Sequence, residues 1–156
     1  MKLNYFFILL ITFLTAFLGS WLTNRGMGWY KTIKLPSWTP PGSVIGTVWT
    51  IIFILATISA LITWNKLQHD SHLYWIAVIF IINAILNVGW SFLFFYLHLT
   101  GLAIFEAALL GISVVALTVL IWPVSRLAAT LLLPYAGWVS FATFLTYMIW
   151  SLNVGS

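Results

Sequence analysis

Asn83 and Asn87 lie four residues apart in Leu73–Leu97, a stretch without a charged residue. Trp90 follows three positions later, with Ser91 beside it. On a helix, steps of four and three put Asn83, Asn87 and Trp90 on one stripe. Tyr135, Trp138 and Ala142 repeat that spacing, and Trp49 and Phe53 share a stripe of another apolar segment. Amides in an apolar medium are costly unless they find partners. Two uses fit them. One is hydrogen-bonded glue between helices. The other is a ligand pocket, in which tryptophan walls take a large flat molecule and the amides orient its polar edge.

Other chemistries find less. Cysteine is absent, which excludes disulfides, thiolate metal sites and a cysteine nucleophile. His69, His72 and His98 fall in connections or at a segment end, so a bound porphyrin would have no histidine axial ligand and no metal site is expected. No Ser or Thr in the apolar segments has a histidine beside it, and no glycine-rich phosphate loop occurs. Glu106 is the one anion inside an apolar segment. A proton relay would want a second such acid, so Glu106 is expected to snorkel towards Arg25, Lys31 or Lys34 at the interface.

These side chains need elements to hold them, and the composition says which. Of 156 residues, 63% are hydrophobic and only 5% charged, which excludes both an ordinary soluble domain and a disordered chain. The apolar runs do not alternate as barrel strands do. The sequence therefore predicts an all-α membrane protein: a five-transmembrane-helix bundle forming a single domain over 1–156, with a long lid loop between helices 1 and 2. The spans are Asn4–Thr23, Val44–Trp64, Leu73–Leu97, Leu102–Trp122 and Leu127–Trp150, each long enough to cross ~30 Å of hydrocarbon. The first is too long for a signal-peptide core and lacks a cleavage pair, so it is read as a retained helix.

Asn65–His72, His98–Gly101 and Pro123–Arg126 are short connections, which force antiparallel neighbours. Arg25–Ser43 is long and rich in Trp, Tyr, Pro and cations, and reads as a packed lid. Measured from the lid face, Trp49 sits ~8 Å deep, Trp90 ~11 Å, Asn87 ~15 Å and Trp138 ~18 Å. Trp21, Trp29, Trp38, Trp64, Trp75, Trp122 and Trp150 fall near span ends, where indoles settle at headgroup level. Pro134 would open the hydrogen-bond ladder of the fifth helix. Lys2, Lys66 and Arg126 face one side and Arg25, Lys31 and Lys34 the other, so charge leaves the orientation open. Scattered cations beside apolar spans fit lipid headgroups, not nucleic acid. Gly42 and Gly46, and the stripe Ala103, Ala107 and Gly111, allow close helix approach, inside the bundle or in a homodimer.

Several stretches carry a family resemblance: WYKTIKLPSWTPPG at 29–42, GTVW at 46–49, Asn83–Trp90 followed by SFLFF, SRLAATLLL at 125–133, PYAGWVSFATFL at 134–145 and WSLN at 150–153. The chain resembles the tryptophan-rich sensory protein and translocator protein family, also called TspO/MBR or the peripheral benzodiazepine receptor family. The resemblance implies an often dimeric five-helix bundle that binds porphyrins such as protoporphyrin IX, and other hydrophobic ligands, under the first loop, with no cofactor required. Family-like pocket positions fall on Tyr30, Trp38, Trp49, Asn83, Asn87, Trp90, Trp138 and Ala142, to which Tyr135 is added from its stripe. Trp49 and Trp138 match positions associated with light-dependent breakdown of bound porphyrin, which leaves an enzyme-like activity open. Tyr147 is followed by no Lys or Arg within Met148–Ser151, which argues against a sterol ligand. A bacterial member is expected as a multi-pass protein of the cytoplasmic membrane, in contact with lipid and with a second copy of itself.

Overall fold

The computed structural model describes residues 3–68 and 70–154. Lys2 and His69, which the sequence reading used, lie outside them. The described residues form α1 (Leu3–Tyr30), α2 (Gly42–Lys66), α3 (His72–Ser91), a π-helical turn (Phe92–Tyr96), α4 (Thr100–Ile121), α5 (Arg126–Thr130) and α6 (Leu133–Asn153). Five segments are long and apolar enough to span a membrane, the third running from α3 through the π turn and the fifth joining α5 to α6. The all-helical, five-span architecture expected from composition is the one found.

The outer faces say what solvent these helices are built for. On α4, Ala103, Ala107, Leu110, Val114, Leu117 and Ile121 are buried, while Phe105, Ile112 and Val119 on the other side are at least 64% exposed. A helix apolar on both its packed and its open face suits lipid, not water. Hydroxyls along the spans are turned back on their own helices: Thr15 donates to the Ile11 carbonyl (2.8 Å), Thr23 to Gly19 (2.8 Å) and Thr118 to Val114 (2.9 Å). No polar group is then left bare in hydrocarbon by these residues.

α4 packs most extensively against α6 and α3, α1 against α3 and the π turn, and α2 against α1 and α5, with only a slender contact to α6. The small-residue stripe of α4 is spent inside this ring: Ala103 and Ala107 are buried, and a Cβ on Gly111 would touch Val139. Gly42 and Gly46 do not bring a helix close, since a Cβ on either would meet nothing within 4 Å.

Three boundaries depart from the sequence reading. α1 continues past Thr23 to Tyr30, so the lid is 31–41, not Arg25–Ser43. Gly26 and Gly28 suggest a helix end in sequence. In the fold Gly26 lies against the π turn, and Trp29 and Tyr30 pack on Phe94 and Phe95, which rewards further helical turns. The fifth span is broken between Thr130 and Leu133. Pro134 stands in the first turn of α6, where its missing N–H costs nothing, so it starts a helix and does not open one.

Candidate functional site

The amides of α3 meet a phenol from α6 and a hydroxyl from α4. Asn83 Nδ2 donates to Ser113 Oγ (2.8 Å), and Ser113 donates to the Leu110 carbonyl (2.7 Å). The Tyr135 hydroxyl donates to Asn83 Oδ1 (3.0 Å) and accepts from Asn87 Nδ2 (3.0 Å). All four side chains are buried. The geometry follows from spacing: Asn83 and Asn87 are one helical turn apart, so a single hydroxyl from a facing helix reaches both. α2 joins through Trp49, whose ring lies edge-on to Tyr135 at 5.9 Å and beside Phe53 at 5.7 Å. Interhelical glue therefore accounts for most of the polar atoms here. Asn87 Oδ1 is the exception, an acceptor without a hydrogen bond among the described residues.

The remaining candidates form two further groups. Trp138 packs on Phe141 (5.2 Å), and Trp38 of the lid stands edge-on to Phe141 (5.9 Å) and stacks on Phe144 (5.7 Å). The lid backbone is pinned beside this ladder: Lys34 N–H donates to Asn153 Oδ1 (3.0 Å), and Asn153 Nδ2 donates to the Lys34 carbonyl (2.9 Å). Ala142 lies half-buried on the same helix. Tyr30 and Trp90 instead join the π turn, Trp90 stacked on Phe94 (5.1 Å) and Tyr30 tilted against Phe95 (5.6 Å). The indole nitrogens of Trp90 and Trp138 are buried without a partner among the described residues.

A cavity of about 220 Å³ lies between α1, α2 and α3. Of the candidate residues it takes in Asn83 and Tyr135. Tyr30, Trp38, Trp49, Asn87, Trp90, Trp138 and Ala142 are outside its lining. It occupies the half of the bundle away from the lid, where sequence reasoning looked for nothing. Its α1 wall, which includes Phe7, Ile11 and Thr15, carries no residue type that marks a site.

Glu106 does not snorkel. Both carboxylate oxygens are buried without a hydrogen bond among the described residues, and no ion pair reaches them. Gly89 of α3 leaves the room: a Cβ there would come within 3.2 Å of Oε1. Arg25 instead lies over the Trp21 ring at 4.9 Å. Trp64, expected in the headgroup belt, has its indole nitrogen buried. His98 stacks on Trp29 (4.2 Å). His72 engages Asp70, whose carboxyl is held below its usual range first by the His72 backbone N–H and then by its imidazole. No group of three or more metal-ligating side chains occurs among the described residues.

Comparison with known proteins decides the family. The TspO/MBR family pattern matches residues 7–151, almost the whole chain. The chain belongs to the TspO/MBR family. "Tryptophan-rich protein TspO" of Bacillus cereus is 31% identical over 153 residues, covering 98% of this chain and 99% of that one. A TspO of Chlorobaculum tepidum is 37% identical over 143 residues, 88% of each chain. The human "Translocator protein" is 32% identical over 144 residues, 91% of this chain and 85% of its own. This member of the TspO/MBR family is thus a membrane protein that shares nearly its full length with bacterial and animal relatives.

Proposed function

We propose that this protein binds a porphyrin-like tetrapyrrole, or a related flat hydrophobic molecule, within the membrane between α2, α3 and α6 and under the 31–41 lid, as a sensor or carrier. The observation that carries this reading is the Asn83–Tyr135–Asn87 cluster, with Asn87 Oδ1 left as an open acceptor beside Trp49. A pyrrole N–H or a protonated propionate is a donor of the kind that oxygen lacks. Trp49, Trp138 and Trp38 supply π faces on the neighbouring elements, the usual composition of an apolar ligand site with few polar groups. Arg25, Lys31 and Lys34 at the lid suit ionised propionates. The ~220 Å³ cavity is smaller than the ~300–1,000 Å³ typical of ligand pockets and lies on the far side. A macrocycle therefore enters by parting the thin α2–α6 seam beneath the lid.

The test is protoporphyrin IX titration followed by tryptophan quenching. Asn87→Leu is expected to weaken affinity about tenfold, the loss of one well-placed buried hydrogen bond. Unchanged affinity in a folded variant would leave the amides as helix glue alone.

A second reading is light- and oxygen-dependent degradation of the bound porphyrin. It is favoured by the placement of Trp49 and Trp138 on two helices flanking the cluster, Trp138 with an unpartnered indole nitrogen. The chemistry would belong to the ligand's excited state, with the indoles as electron donors. Trp49→Phe and Trp138→Phe should then bind porphyrin yet bleach its Soret band several-fold more slowly under illumination in air. Bleaching at the wild-type rate in both would leave binding as the function.

A further inference from the structure

The far half of the bundle holds a wedge that the lid-side site does not use. At the lid end α1 and α3 with its π turn are pressed together: a Cβ on Gly26 would lie 2.1 Å from the Phe95 carbonyl oxygen, and one on Gly19 3.6 Å from Ser91 Oγ. Towards the other end the two helices part. The ~220 Å³ cavity fills the gap, walled by Phe7, Ile11, Ala60, Ala77 and Ile81 among others. On the α2 side the wedge is stitched shut, because the Tyr5 hydroxyl donates to Asn65 Oδ1 and Thr57 donates to Thr12 at 3.0 Å. On the α1–α3 side it is open: Phe7, Ile11 and Ile81 are 49%, 39% and 47% exposed, so the mouth faces the bilayer sideways.

The wall hydroxyls are already committed, Thr12 to the Ile8 carbonyl (3.0 Å), Thr15 to Ile11 (2.8 Å) and Thr63 to Ser59 (2.8 Å). Such a wall gives no direction to a polar ligand and suits a hydrocarbon chain. The interfacial end of the wedge carries donors instead. Asn4, Lys66 and Gln68 are exposed there, and Lys66 Nζ has one long contact, 3.4 Å to the Val124 carbonyl. The nearby carboxylate of Asp70 is taken by His72. A lysine with amides at headgroup depth complements an anionic headgroup.

We propose that this wedge seats one acyl chain of an anionic phospholipid from the leaflet opposite the lid, with Lys66 at its headgroup. The test is native mass spectrometry of purified protein equilibrated with equal amounts of phosphatidylglycerol and phosphatidylcholine. Wild type should retain one phosphatidylglycerol per chain. Ala60→Phe and Ala77→Phe, which fill the wedge, should lose at least nine-tenths of it without loss of helical melting temperature. Lys66→Gln should keep a lipid but lose the preference for phosphatidylglycerol. Undiminished retention by the Phe variants would overturn the proposal. So would capture of free fatty acid in place of phospholipid when both are supplied, or a dimer that Ala77→Phe dissociates while wild type holds no lipid. Should both Phe variants fail to fold, phosphatidylglycerol brominated along its chain supplies the measurement. It should quench a component of fluorescence that Trp64→Phe removes, since Trp64 lines the wedge, and quenching indifferent to that change would equally overturn the idea.

Discussion

Tyr135 is where the bundle's polar chemistry is concentrated. Its one hydroxyl accepts from Asn87 and donates to Asn83, joining two turns of α3 to α6 in a region without water to replace either bond. Interhelical hydrogen bonds in membranes average about 0.6 kcal/mol, because the separated helices also find partners. A buried amide left wholly unpaired costs more, about 1–3 kcal/mol. Tyr135→Phe removes two bonds and strands Asn87 Nδ2 and Asn83 Oδ1, so we expect a loss of about 1–2 kcal/mol. Thermal unfolding in detergent, with the exposed Tyr147→Phe as control, measures it. A loss no larger than the control's would mean that the amides re-pair locally and that the cluster does not hold the helices. The stripe Asn83–Asn87–Trp90 was legible in the sequence because helical periodicity alone fixes it. The orphaned carboxylate of Glu106 was not, because its fate turns on Gly89, a residue of another helix whose lack of a side chain makes the hole.

Helix ends and breaks depend on what lies opposite them. In sequence, Asn24, Arg25 and two glycines look like the close of α1. In the fold Gly26 is the point of closest approach to the π turn. That turn ends at His98, whose φ of 58° puts it in the left-handed region sparsely used by non-glycine residues. The resulting corner presents Phe94 and Phe95 to Trp29 and Tyr30, and α1 continues to meet them. A side chain at Gly26 would collide with backbone, which cannot swing away as a flexible side chain would. Gly26→Val should therefore cost about 3 kcal/mol or more, in the range of severe overpacking. Gly28→Val, where a Cβ would meet nothing within 4 Å, should cost under about 1 kcal/mol, the β-branched propensity difference being small. Equal Tm changes for the two would show that the α1–π turn contact yields. The division of the last span at Leu131–Leu132 escaped the sequence for a similar reason. Leu132 is fully buried and α5 is anchored by Ser59, which donates to the Ala128 carbonyl at 2.7 Å, and hydropathy registers neither.

At the scale of the whole bundle, the two halves differ in how they are closed. Composition and span length made the five helices and their lid plain, and the family follows from motifs spread along the chain. The splay of α1 from α3, which makes the far-side wedge, lies in tertiary packing and has no signature in any one segment. The lid half is closed by few interactions: the paired hydrogen bonds between Asn153 and the Lys34 backbone, and the Trp38 stack on α6. Two bonds at about 1 kcal/mol each, partly replaced by water at the interface, hold the closed form over the open one by roughly tenfold. If porphyrin enters beneath the lid, Asn153→Ala should raise both its association and dissociation rates by up to about tenfold. The equilibrium affinity should change much less, since the bound molecule loses no direct contact. Stopped-flow tryptophan quenching with protoporphyrin IX separates the rates. Slower dissociation alone would make the lid part of the binding surface, and unaltered rates would send the ligand in by another path, through the lipid-facing seams between helices.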